Sequence, residues 1–133
     1  MPRPRNENPT PAELEVLKIL WDGGPMTVRD VMEVFRARKH RRAYTSVMSL
    51  MNVMAEKGLL SRKPQGRAFI YSAKAPRERT LSTLVGDLWE RAFEGSASSL
   101  VTHLLDQANP TDDELDEIRK AIEAYRHEQG ETP

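Results

Sequence analysis

The sequence predicts a mainly α-helical protein with one small β-hairpin, built as a head over residues 1–75 and a helical region over residues 76–133. Three observations carry that prediction. Apolar residues recur at helical spacing in six stretches separated by glycine, proline and polar breaks. One short segment, "LLSRKPQGRAFIYSA", follows the third stretch and reads instead as two strands around a tight turn. Charge then divides the chain: residues 1–80 hold 16 Lys/Arg against 8 Asp/Glu, residues 81–133 hold 4 against 12, and the two halves cancel to a net charge of zero. Such asymmetry suggests a part that binds a polyanion joined to a part with another task.

The first helix lies in "TPAELEVLKILWDGG". Thr10 caps it, Pro11 suits its first position, and Glu13 completes a capping box. Leu14, Val16, Leu17, Leu20 and Trp21 form its apolar face, and Gly23 and Gly24 stop it. The second helix starts in "MTVRDVMEVFRARK", with Thr27 as cap, Asp30 as the acid three places on, and Val31, Val34 and Phe35 facing a core. "HRR" breaks the pattern as a short basic turn. The third helix carries Val47, Leu50, Met51 and Met54 inward and closes at Gly58. Its opposite face holds Thr45, Ser49, Asn52 and Glu56, flanked by Ser46 and Val53. In the hairpin, Leu60–Lys63 and Arg67–Ser72 are the expected strands around "PQG", with Phe69 and Tyr71 on one face and Ala68 and Ile70 on the other.

Three short helices followed by a two-stranded hairpin make a winged helix-turn-helix. In that arrangement the third helix fits a DNA major groove. Thr45, Ser46 and Ser49 lie near its start, where hydroxyls reach several base edges and a Thr methyl can meet a thymine methyl. The wing offers Arg62, Lys63 and Arg67 to phosphates, and the basic turn and helix start add Arg41, Arg42 and Tyr44. The competing reading of the same pattern is a winged helix used only for protein contacts.

Three segments together, "TPAELEVLKILWDGGPMTVRDV", "AYTSVMSLMNVMAEKGLLSR" and "GRAFIYSA", resemble the penicillinase repressor family (BlaI/MecI type, with a copper-responsive branch). The likeness runs from about Thr10 to Arg126. It implies a dimeric winged-helix repressor on a palindromic operator, commonly built from TACA/TGTA-like half-sites. It also implies relief of repression when a membrane sensor-protease pathway leads to a cut in the dimerisation region. Two departures stand out. The copper branch carries a C-terminal cysteine motif, and this chain has no cysteine. Cleaved members carry an Asn-Phe pair before the last helix, where this chain reads His103-Leu104 in "SLVTHLLDQANP".

After "APRERT", read as a hinge, come three further amphipathic helices. The fourth presents Leu81, Leu84, Val85, Leu88, Trp89 and Phe93; the fifth Leu100, Val101, Leu104 and Leu105; the sixth Leu115, Ile118, Ile122 and Tyr125. Gly95 and Asn109-Pro110 separate them, and Thr111 with Glu114 reads as a capping box. Three short helices alone make a thin core, so a second copy of the chain is expected to cover Leu81, Leu84, Leu88, Trp89, Leu100, Leu104, Ile118 and Ile122. The competing arrangement is a monomeric helical cap on the head.

The absence of cysteine excludes disulfides, thiolate metal sites and thiol catalysis. No Gly-rich phosphate loop, zinc-ligand spacing or nucleophile–base arrangement stands out, so neither an enzyme nor a bound cofactor or metal is expected. His40, His103 and His127 are far apart in sequence, and "DDELDE" reads as a solvated helix face. No apolar run approaches a membrane span, and the start "MPRPRNEN" lacks an apolar signal core, which makes a cytoplasmic protein the simplest expectation. Besides the repressor reading, two alternatives stay open: a regulator with an effector pocket for a small ligand, and a protein-interaction module without DNA binding.

Overall fold

The computed structural model describes residues 8–130; the expectation placed on the first seven residues lies outside that range. The element order is α1 (Pro11–Gly23), α2 (Val28–Ala37), α3 (Tyr44–Lys57), β1 (Leu60–Gln65), β2 (Ala68–Ala73), α4 (Arg77–Arg91), α5 (Ala97–Ala108) and α6 (Asp112–Gly130). The chain divides into two compact units between Gly86 and Asp87, inside α4. The segment read as a hinge is helical from Arg77 onward, because Pro76 offers its carbonyl to the Arg79 and Thr80 N–H groups and starts the helix.

In the first unit the local caps form as the residues dictate. The Thr10 hydroxyl accepts the Glu13 N–H at 3.2 Å, and the Glu13 carboxylate accepts the Thr10 N–H at 2.9 Å. Thr27 and Asp30 repeat the exchange at 3.1 Å in both directions. Gly58 ends α3 at φ +87°, a left-handed conformation that costs glycine nothing. One apolar core joins the elements: Val16, Leu17, Ile19 and Leu20 of α1, Val28, Val31 and Phe35 of α2, Val47, Met51 and Met54 of α3, and Leu60 and Tyr71 of the hairpin.

The hairpin departs from expectation in its turn. β1 and β2 are antiparallel, with Arg62 opposite Tyr71, Pro64 opposite Phe69 and Gln65 opposite Ala68. The loop is therefore Gly66-Arg67, not "PQG", and Arg67 sits in the turn instead of a strand. A two-residue loop needs a positive φ at its first position, and Gly66 supplies it at +61°. Pro64 is tolerated because a two-stranded sheet has only edge strands. Met26 adds one rung beside the hairpin, donating to the Tyr71 carbonyl at 3.0 Å and accepting from the Tyr71 N–H at 2.7 Å. Trp21, partly buried against the core, donates its indole N–H to the Ala75 carbonyl at 3.0 Å.

In α4 to α6, by contrast, no residue is buried. Ser96 caps α5 by accepting the Ser99 N–H at 3.1 Å, and Asn109 ends it in the left-handed region at φ +47°. The Thr111 hydroxyl accepts the Glu114 N–H at 3.2 Å at the start of α6. Arg119 pairs with Glu123 one turn on. Leu88 is 46% exposed, Leu104 56% and Ile122 50%, whereas Leu81, Leu84, Leu100 and Ile118 are half-buried.

Candidate nucleic-acid interface

α3 is placed by its inward row. Val47, Met51 and Met54 are buried against α1 and α2, which turns Thr45, Ser46 and Ser49 to the open side. These three line one shallow depression of about 480 Å³ together with Leu50 and Val53. The expected readers therefore share one surface, with two apolar neighbours available to a base methyl group. Tyr44, at the first position of α3, is 44% exposed.

Apart from Tyr44, the expected phosphate contacts are five cations, and they split into two sets. Arg41, Lys63 and Arg67 are exposed and have no ionic or hydrogen-bonding partner among the described residues. Arg42 and Arg62 have internal partners. Arg42 pairs with Glu15 of α1 and stacks over the Phe35 ring at 5.2 Å; its Nε is buried without a hydrogen-bond partner. Glu15 also faces the His40 Nδ1 at 3.4 Å, so one carboxylate of α1 anchors both ends of "HRR". Arg62 donates to the Asn52 Oδ1 of α3 at 2.6 Å. Sequence spacing shows neither partnership, since Glu15 and Arg42 lie 27 residues apart.

A cleft of about 940 Å³ runs along the turn between α2 and α3, lined by Met32, Phe35, Arg36, Lys39, His40, Arg41, Arg42 and Ala43. Its cationic lining suits an anion. Behind the interface, Glu13 locks α1 to α3: it is 3% exposed and accepts from the Lys57 ammonium at 2.7 Å. Burial alone raises its pKa, but the Lys57 and Thr10 donors outweigh burial and hold it below the ordinary 4.5.

His103 and Leu104 lie in the middle of α5. The His103 Nδ1 stands 2.9 Å from the Ser99 carbonyl, and its ring meets Phe93 edge-on at 5.2 Å. Among the described residues no group of three or more His, Asp or Glu is placed to hold a metal ion. No described helix is long and apolar enough to cross a membrane.

The helix order, the hairpin beside α3 and the open polar face of α3 define a winged helix-turn-helix protein. The family model described as penicillinase repressor matches residues 9–124, and the chain belongs to that family. It is 30% identical over 123 residues to the transcriptional regulator BlaI of Mycobacterium tuberculosis, covering 91% of this chain and 87% of that one. It is 20% identical over 120 residues to the penicillinase repressor of Bacillus licheniformis, covering 90% and 93%. The solution structure of the DNA-binding domain of the repressor BlaI matches with a TM-score of 0.48 and 20% identity, over 56% of this chain and 90% of that one.

Proposed function

We propose that this chain is a homodimeric transcriptional repressor that binds a palindromic stretch of double-stranded DNA. The observation that carries the reading is the shared open depression of Thr45, Ser46 and Ser49 on a helix whose other face is buried. Family membership supports the same class of function. Thr45, Ser46 and Ser49 read base edges; Arg41, Lys63 and Arg67, with the Tyr44 hydroxyl, grip phosphates. Two such heads on a two-fold axis address half-sites one helical turn apart, or a multiple of it. The exposed apolar faces of α4, α5 and α6 supply the pairing surface. Repression is relieved through that region, by a sensor-protease pathway whose cut at His103-Leu104 would sever α6 and part of α5 from the head.

The test is a binding titration over a salt series, using a duplex selected from a random pool by the full chain. Each phosphate contact contributes about 0.9 to the slope of log affinity against log salt. Arg67→Ala should therefore weaken binding to every sequence and flatten the slope by about that amount. Ser49→Ala should shift preference at one base position, worth about 1–3 kcal/mol of discrimination, more than it lowers overall affinity. A wild-type chain that binds no duplex in a salt-dependent way would leave the protein-interaction reading in possession.

A further inference from the structure

The wing has a firm base and an exposed tip. At its base Leu60 and Tyr71 are buried, and the Tyr71 backbone is paired in both directions with Met26. From Ser61 to Phe69 every residue is exposed. What fixes the tip against α3 is therefore a question for the middle of the hairpin. There two donors meet on one atom. Arg62 Nη1 donates to Asn52 Oδ1 at 2.6 Å, and the Tyr71 hydroxyl donates to the same oxygen at 2.9 Å. The Arg62 guanidinium also stands 4.8 Å over the Phe69 ring, which meets Tyr71 edge-on at 6.4 Å. The strand register puts Arg62 directly opposite Tyr71, so Arg62, Phe69 and Tyr71 share one face of the hairpin.

Asn52 follows Ser49 by three places on α3, so the acceptor belongs to the helix proposed to read the bases. Its neutral amide matters. A carboxylate in that position would cancel the charge of Arg62, whereas an amide holds the guanidinium and leaves the wing cationic. From this geometry we infer that Arg62 is a positioning residue: with Asn52 and Tyr71 it sets the angle of the wing against α3, and it is not itself a phosphate contact. The inference rests on the DNA-binding reading above. It makes the angle between reader and grip depend on one amide oxygen, and it leaves Lys63 and Arg67 as the wing cations that reach the duplex.

The experiment uses the full chain and the selected duplex, with Arg62→Ala, Asn52→Ala, their double variant, and Arg67→Ala as the reference for a phosphate contact. Thermal melting checks that each variant is folded; Arg62 is exposed, so its replacement keeps the head intact. A latch predicts that Arg62→Ala and Asn52→Ala each weaken binding about tenfold, the scale of one charged hydrogen bond. The double variant should then be no weaker than either single one, and the salt slope should stay at the wild-type value. Tyr71→Phe, which keeps the Arg62–Asn52 bond, should lose less. Losses that multiply in the double variant, with a slope lowered by about 0.9 in Arg62→Ala, would make Arg62 a direct phosphate contact and overturn the assignment. An Arg62→Ala chain that binds as well as wild type overturns it too. Failure of the wild-type chain to bind DNA at all is a separate result that removes the underlying reading.

Discussion

The core of the head and the helices α4 to α6 are built from the same kinds of residue and put them to opposite use. In the head, Val16, Val31, Met51 and Met54 are completely shielded from solvent. Beyond it, Ser96 caps α5, Thr111 caps α6, and α4 and α6 carry ion pairs along their length, yet none of the three helices buries a residue. Caps and pairs decide where a helix begins and ends; they do not supply a core. Local order and tertiary stability are separate achievements, and a single chain reaches both only in its head. The apolar side chains left open on α4 to α6 are what the proposed pairing with a second chain would cover.

Three experiments test that contrast. The largest effect is expected from Leu88→Asp, which sets a charge into the exposed apolar face of α4. Sedimentation should show a monomer, and affinity for a palindromic duplex should fall by roughly 10²–10⁴ as the second half-site ceases to be effectively local. The melting transition of the head should be unchanged; if it moves, the face serves the head and not a partner. Next comes Met51→Ala inside the core, expected to cost about 2–5 kcal/mol in denaturant unfolding. A loss under 1 kcal/mol would show that α3 is not held by its inward row.

The smallest effect concerns Glu13. Its pKa is lowered in the folded state, so its contribution to stability is complete above its unfolded value and is lost as pH falls through the folded one. Unfolding measured from neutral pH down through the carboxylate range should show that loss, and Lys57→Ala should shrink it. The substitution should cost about 1.5–3 kcal/mol near neutral pH, since it removes a hydrogen bond between charged groups. An identical pH profile in the variant would deny Lys57 its role.

Much of the head was legible because its signals are local. Thr10 with Glu13 and Thr27 with Asp30 each close a box within four residues, and Gly58 and Gly66 sit where the backbone needs positive φ. The sequence points to a turn at "PQG" because Pro64 imitates a turn residue, whereas the pairing of Gln65 with Ala68 puts the loop at Gly66-Arg67. The Met26 rung is one residue long and has no periodicity to detect. The reading of Thr45, Ser46 and Ser49 as one surface followed from helical spacing alone, and the depression they line agrees with it. The inward commitments of Arg42 and Arg62 did not follow, because composition counts a cation without showing what it faces. In "APRERT" proline and charge suggest a joint, and the same proline also begins a helix, so α4 starts at Arg77.

The bond from the Trp21 indole to the Ala75 carbonyl has a consequence for how the protein is made. It ties the end of α1 to the last residues before α4, so the head has all its parts once Ala75 has been synthesised. Domains fold as units, earliest first, while synthesis proceeds at about 5–20 residues per second. The head can thus close once it has emerged from the ribosome, without waiting for α5 and α6 to fold. In the homodimer proposed above, subunits would then meet as finished heads.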